Sequence, residues 1–241
     1  MKKLFTTIIA FLIISTSVNA QFFTKKIKGN GNIETENRSV SDYDKIGVAG
    51  AFEVQLIKGS EGKITVKADE NLMEYIITEV KNGTLKIKTK KGYNIRTKRT
   101  IKITVPFNDI EAVSLAGSGE VYSKDRIDSS HLELSVAGSG SMKLEVSSKN
   151  LKSSVAGSGN LRLTGDTKEF KCSVAGSGNI NSYDLKAKKV TVNVAGSGNV
   201  RVNAIDEIHA NSAGSGDIYY SGNPEIQKIK SAGSGSVRKK S

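Results

Sequence analysis

From residue 107 onward, apolar and polar positions alternate in short runs that keep returning to the same phase. Leu132, Leu134 and Val136 alternate with Glu133 and Ser135. The same pattern recurs at Leu151–Val155, Phe170–Val174, Val190–Val194 and Ile208–Ser212. Period-two alternation predicts strands with one buried face. Each run leads into Ala-Gly-Ser-Gly, which starts at Ala116, Ala137, Ala156, Ala175, Ala195, Ala213 and Ala232. These starts are evenly spaced, with the first gap the widest and the gap before Ala213 the narrowest. A second apolar column follows the motif: Val121, Met142, Leu161, Ile180, Val200, Ile218 and Val237. Each unit therefore predicts a strand, a glycine corner, a second strand and a polar link. A unit of this size cannot bury its own apolar face. Stacking like units in register, about 4.8 Å apart, does so. The predicted fold is all-β: a single-stranded parallel β-helix or β-solenoid with ~19-residue coils.

Two earlier segments resemble degenerate copies. Ala49-Gly50-Ala51-Phe52-Glu53-Val54 has the layout of Ala116–Val121, and Gly29-Asn30-Gly31-Asn32-Ile33 has that of Gly176–Ile180. The step from Lys28 to Ala49 equals the widest of the repeat spacings, which suggests a solenoid of about nine coils beginning near Lys28. The step from Ala49 to Ala116 is more than three times as long and implies an insertion. Within it, 62–69 alternates as a strand, and Asp69 is positioned to cap a short helix over Glu70–Ile77. Asn82-Gly83 predicts a hairpin turn. Thr84–Lys90 and Thr100–Val105 alternate with Leu85, Ile87, Ile101, Ile103 and Val105 on one face, and Pro106 is expected to end the last strand. The expected organisation is a leader over 1–20, N-terminal coils over 21–61, an inserted β subdomain with a short helix over 62–106 and the main repeats over 107–241.

The leader has Lys2 and Lys3, then an apolar run from Leu4 to Ile14, then Val18-Asn19-Ala20 at a cleavage position. That is the pattern of a secretory signal peptide, and the apolar run is too short to span a membrane as a helix. The mature chain would begin at Gln21, with no Cys there to carry a lipid anchor. Loss of Lys2 and Lys3 lowers the net charge from +12 to about +10. A basic exported chain favours anionic partners, with an acidic glycan or an envelope protein expected and nucleic acid not. The lone Cys172 has no intrachain disulfide partner.

Gly29–Ile33, Glu36-Asn37-Arg38-Ser39-Val40, Tyr43-Asp44-Lys45-Ile46 and the Ala-Gly-Ser-Gly series together resemble the head GIN domain family, named putative auto-transporter adhesin. The resemblance spans essentially 28–238. It implies a β-helix-like fold and export to the periplasm or outer surface of a Gram-negative bacterium. Little sequence follows Ala232, so a detached head is expected rather than a complete autotransporter.

The repeat argues against catalysis. A nucleophilic serine needs one activated copy beside a base. Ser118, Ser139, Ser158, Ser177, Ser197, Ser215 and Ser234 are instead equivalent, and are expected to form a structural hydroxyl ladder or corner. The next column contains Asn32, Asn160, Asn179, Asn199 and Asp217, which predicts stacked amides. Calcium-binding nonapeptides have a different period and more acids. His131 and His209 fall in different coils without a ligand cluster, so no zinc site, other metal site or cofactor is expected. Cys172 occupies an inward column. The glycines lack the following Lys-Ser/Thr and helix of a phosphate loop. One outward column reads Tyr122, Lys143, Arg162, Asn181, Arg201, Tyr219 and Arg238, with Lys152 and Lys171 on a neighbouring face. On a solenoid it becomes a basic, tyrosine-bearing stripe along the axis, which could take a linear anionic glycan; the favoured alternative is that charges on an exposed sheet face keep the solenoid soluble and monomeric. The expected function is non-catalytic surface binding or adhesion. The alternatives are an envelope scaffold and, less favoured for want of an acid/base cluster, a carbohydrate-active enzyme. Inward valine gives way to Ser212 and Ser231 near the C-terminal end, where the core tapers to a finish or to an oligomer contact through the solenoid end.

Overall fold

A computed structural model describes residues 24–240. The expected signal peptide lies outside the described residues. The fold is nearly all-β and contains a β-solenoid of about 7 turns with ~19-residue coils.

Nine strands form the N-terminal part: β1 (Lys25–Lys28), β2 (Ile33–Ser39), β3 (Lys45–Ala49), β4 (Glu53–Lys58), β5 (Lys63–Asp69), β6 (Ile76–Lys81), β7 (Thr84–Thr89), β8 (Tyr93–Arg96) and β9 (Lys102–Phe107). The repeats comprise β10 (Ala112–Gly117), β11 (Glu120–Ser123), β12 (Ile127–Gly138), β13 (Ser141–Gly157), β14 (Asn160–Gly176), β15 (Asn179–Gly196), β16 (Val200–Gly214), β17 (Ile218–Ser221), β18 (Ile226–Gly233) and β19 (Val237–Lys239).

Repetition fixes the register. Val136 pairs with Val155, Val155 with Val174 and Val174 with Val194, all in parallel. The columns Leu132–Leu151–Phe170–Val190–Ile208 and Val121–Met142–Leu161–Ile180–Val200–Ile218 are buried. Each such side chain contributes roughly 1.5–3 kcal/mol of burial. Cys172 lies inside, 2% exposed, and burial pushes its thiol pKa up, away from thiolate chemistry.

The expected polar link is not a break. β13, β14 and β15 each run from one motif to the next, because link residues also pair across coils, as in Ser147↔Asp166 and Asn150↔Glu169. Ser147 Oγ donates to Asp166 Oδ2 at 2.8 Å, and Ser148 Oγ to Thr167 Oγ1 at 3.0 Å. Polar side chains thus hold the bend.

The N-terminal part follows different rules. β3 and β4 pair in parallel with β10 and β11, aligning Ala49 with Ala116 and Val54 with Val121. That copy is a true coil. On their other side β3 and β4 pair in parallel with β7 and β9. The insertion therefore builds the neighbouring rung, and the chain then crosses back over β3 and β4 to begin β10. Antiparallel strands border this end, with β6 on β7, β5 on β9 and β2 on β5. The Asn82-Gly83 hairpin forms with both residues at positive φ, 52° and 69°.

The copy at Gly29–Ile33 is not a coil, which corrects the count of about nine beginning near Lys28. β1 pairs with β8 in a separate two-stranded sheet, and β2 runs antiparallel on β5. Its glycines serve a different contact: a Cβ on Gly29 would lie 2.5 Å from the Asp69 side chain. The helix differs as well. It is a 3₁₀ helix over Glu70–Tyr75, Ile76 already begins β6, and Asp69 makes no side-chain cap. The Asp69 carboxylate instead accepts from Gly31 N–H at 2.6 Å and Thr97 Oγ1 at 2.5 Å. Pro106 does not end β9, which runs through it to Phe107. Pairing with β5 stops at Thr104, so the missing proline N–H costs no bond to that strand.

Candidate functional site

The Ala-Gly-Ser-Gly corner is closed against a neighbour. Gly117 O accepts from Ser139 N at 3.0 Å and Gly140 N at 2.9 Å, and Gly157 O likewise accepts from Ser177 N and Gly178 N. A Cβ on Gly178 would fall 2.5 Å from both Gly159 O and Val155 Cγ1. The glycines are needed because coils touch there. The motif serines are largely exposed, and among the described residues no hydrogen bond joins one motif hydroxyl to the next. Of the two expected arrangements, ladder or corner, they form the corner. Ser212, by contrast, is buried and donates to Gly216 O at 2.8 Å, and Ser231 makes the same bond to Gly235 O at 2.6 Å.

The ladder forms in the following column. Asn179 Nδ2 donates to Asn160 Oδ1 at 3.1 Å, and Asn199 Nδ2 donates to Asn179 Oδ1 at 3.3 Å. Asp217 N donates to Asn199 Oδ1 at 3.1 Å. Asp217 Oδ1 accepts from Ser236 N at 2.8 Å and Ser236 Oγ at 2.7 Å. The Ser236 hydroxyl, and then its N–H, hold the Asp217 carboxyl below its usual range. Asn32 is elsewhere: its N–H donates to Asn30 Oδ1 and its carbonyl accepts from Glu70 N, at the N-terminal end. A second amide contact, Asn211 Nδ2 to Asn193 Oδ1 at 3.0 Å, lies on the strand before the motif.

The outward column is continuous. Gln55, Tyr122, Lys143, Arg162, Asn181, Arg201, Tyr219 and Arg238 pair in succession across neighbouring coils. Lys143 and Arg162 are exposed, and Tyr122, Asn181, Arg201 and Tyr219 are half-buried. The Arg201 guanidinium lies over the Tyr219 ring, 5.5 Å from its centroid. Tyr122 Oη donates to Glu53 Oε1 at 3.3 Å and Tyr219 Oη to Asp217 Oδ2 at 3.1 Å. Burial, and then Glu53, raise the Tyr122 pKa, keeping its hydroxyl a neutral donor. Asp184 comes within 3.5 Å of Arg162. On the neighbouring face Lys152 pairs with Glu133 at 2.8 Å, so Lys152 adds little free charge.

Two features go beyond the sequence reading. Tyr183 interacts with Arg201 and Tyr219, and its ring sits 4.6 Å from Lys240 Nζ. Register shifts flank the Ser182–Lys186 region. The sequence signal for this bulge is that Ala175 and Ala195 stand one position further apart than the motif starts of the preceding coil. The other feature is a groove of about 910 Å³ along the bend, lined among others by Asp128, His131, Lys149, Asp166, Lys168 and Lys188. Its charges are mixed, with acids and lysines along the same lining.

His131 is exposed, while His209 Nε2 lies 2.7 Å from Glu207 Oε1. Among the described residues no group of three or more His, Cys, Asp or Glu is placed to hold a metal, and no helix is long and apolar enough to cross a membrane.

Known structures share this architecture. A putative adhesin from Bacteroides fragilis superposes with a TM-score of 0.83 at 22% identity, covering 89% of this chain and 100% of that one. A putative lipid binding protein from Parabacteroides distasonis superposes with a TM-score of 0.76 at 34% identity, covering 90% and 100%. A putative adhesin from the same organism gives a TM-score of 0.73 at 24% identity, covering 90% and 100%. No curated protein matches the chain in sequence at a significant level. The family model for the putative auto-transporter adhesin, head GIN domain, matches residues 42–224. With β3 to β17 and most of the repeat corners and columns inside that match, the chain belongs to the head GIN domain family of putative auto-transporter adhesins.

Proposed function

We propose that the protein is an exported, non-catalytic binding head that adheres through the flank of its repeats to an extended anionic glycan. The observation that carries this reading is the stripe from Tyr122 to Arg238. It presents Lys143, Arg162, Arg201 and Arg238 on successive or near-successive coils, with Tyr122 before them and Tyr219 between Arg201 and Arg238. A linear polymer can meet such a track at many equivalent points. The adhesin names of the family and its relatives favour surface binding. In this reading the leader 1–20 directs export, the main repeats 107–241 carry the track, and 21–61 with 62–106 close the other end.

The test is binding to polygalacturonate, with neutral dextran as control. Replacing Lys143, Arg162 and Arg201 by Ser should weaken binding on the order of tenfold to a hundredfold, at roughly 0.5–1 kcal/mol per exposed charge contact. Circular dichroism should not change. Undiminished binding by the triple variant would sink the proposal.

A second reading is lipid binding. It is favoured by the 34% identical structure named a putative lipid binding protein, and by a cationic pocket at the N-terminal end of this chain.

A further inference from the structure

We infer that the pocket between β1 and the segment after β8 binds the phosphorylated headgroup of an anionic lipid, and so seats the N-terminal end of the molecule on a membrane surface. The inference rests on the second reading above and gives it a site.

The pocket is built by contacts that the repeats lack. β1 and β8 pair outside the main sheet, with Lys26 opposite Asn94 and Lys28 opposite Arg96. Gly29 N donates to Arg96 O at 2.9 Å, tying the exits of the two strands together. Below them lies Asp69, 1% exposed. Its two oxygens accept from Gly31 N–H and from the Thr97 hydroxyl, and Thr97 Oγ1 accepts in turn from Arg99 N at 2.9 Å. This relay fixes the Gly29–Gly31 loop on one side and Thr97–Arg99 on the other. Between them is a concavity of about 590 Å³.

The lining is predominantly cationic. Lys26, Lys28, Arg96, Lys98 and Arg99 border the space, and Asp69 is the one acid among its lining residues. Both Asp69 oxygens are already engaged from within the wall. Some lysines elsewhere have carboxylate partners, as in Lys88–Glu79 at 2.6 Å and Lys102–Glu53 at 3.1 Å. Among the described ion pairs none involves these five cations. Five gathered cations repel one another, and a bound anion relieves that repulsion. Two guanidiniums among them suit a phosphate, whose oxygens accept paired N–H donors.

The surroundings favour a phosphate presented by a membrane. The Tyr75 and Tyr93 rings pack with centroids 4.6 Å apart, and Lys90 Nζ lies 5.9 and 5.6 Å from them. Tyr93 is opposite Lys25 on β1. Tyrosine beside lysine is the composition that settles at a membrane–water boundary, with the rings at headgroup level and the cations toward the phosphates. The pocket is also a single concavity rather than a column that recurs every coil, so it fits one compact headgroup better than a linear polymer.

The experiment is cosedimentation with vesicles of equal parts phosphatidylglycerol and phosphatidylcholine, against pure phosphatidylcholine. The protein is compared with a Lys28→Ser/Arg96→Ser/Arg99→Ser variant and with the stripe variant described above. Thermal melting confirms that each variant folds. The protein and the stripe variant should pellet with the anionic vesicles alone, and the pocket variant should lose partitioning on the order of a hundredfold. If the protein pellets with neither vesicle, the lipid-binding reading itself is overturned. If the pocket variant pellets as well as the protein, lipid binding stands and the assigned site is wrong. If inorganic phosphate abolishes pelleting at an ionic strength where chloride does not, the pocket's ligand is a soluble phosphate and the membrane part of the inference is overturned. If polygalacturonate binding falls equally in the pocket variant, the pocket is a general polyanion site and the inference fails.

Discussion

The coils from β12 to β16 and the N-terminal strands from β1 to β9 bury the same kinds of side chain, yet they reach their register by opposite means. In the coils most contacts are copies, the bulge around Ser182–Lys186 apart. Val155 sits on Val136 because Val174 sits on Val155, and the glycine corner repeats the same fit. The N-terminal strands change direction, leave their chain order and cross back over a rung already made. Their register depends on contacts that occur once. The Arg38 guanidinium donates to the carbonyls of Ile76 and Met73, Tyr43 Oη donates to Pro106 O, and Asp69 gathers Gly31 and Thr97. Redundant contacts make a stiff track that tolerates sequence drift in any one coil. Single contacts make a shaped end where cations can be held around a pocket. The comparison therefore separates two surfaces with two different chemistries.

A glycine exchange in each region should separate the two most strongly. Gly178→Ala places a methyl group 2.5 Å from the Gly159 carbonyl oxygen and 2.5 Å from Val155 Cγ1 of the preceding coil. It should cost about 3 kcal/mol or more, seen as a large drop in the denaturant midpoint. Gly31→Ala meets nothing within 4 Å and carries only the strain of its φ of 87°, about 1–2 kcal/mol. Equal losses would show that the corner glycines are not there for coil contact.

Asp69→Ala tests whether the N-terminal end depends on its one buried carboxylate. Gly31 N–H and the Thr97 hydroxyl would lose their acceptor, at about 1–3 kcal/mol. Hydrogen exchange should rise at 29–32 and 97–100 while 127–214 keeps its protection. A uniform rise along the chain would mean that the two regions unfold as one unit.

The smallest effect expected is electrostatic, at the C-terminal end of the amide ladder. The folded-state pKa of Asp217 is lowered, by Ser236 first, so it lies below the unfolded value. The stabilisation it brings is complete above the ordinary Asp range of about 4 and is lost as pH falls through the lowered value. Between about pH 6 and about pH 3, Asp217→Asn should therefore soften the acid limb of the melting temperature by a small amount. An acid limb identical to that of the unchanged protein would assign the ladder's end no electrostatic role.

Particular residues show how much is legible in the sequence. The inward columns, the coil at Ala49–Val54, the Asn82-Gly83 hairpin and the order of the stripe all follow from local spacing, because a solenoid converts sequence period directly into stacking. Gly29–Ile33 misleads for the same reason. Gly-Asn-Gly-Asn has the spelling of a corner, but the spelling does not say whether the glycines face another coil or a carboxylate. Asp69 reads as a helix cap because capping is a local rule, whereas its partners Gly31 and Thr97 lie 38 and 28 residues away. The Lys26–Arg99 pocket is invisible in the sequence because its two walls come from segments far apart in the chain.

Local spacing along the chain specifies the β-solenoid, its pitch in residues, the direction in which each repeat side chain points and the family to which the chain belongs. A contact repeated every coil is encoded at every coil. Long-range pairing sets the rest: the insertion builds the neighbouring rung, β1 and β2 leave the stack, and five cations border one pocket. Those features are made by residues distant in the chain and used once, and the pairing that creates them exists only when the strands are already in place.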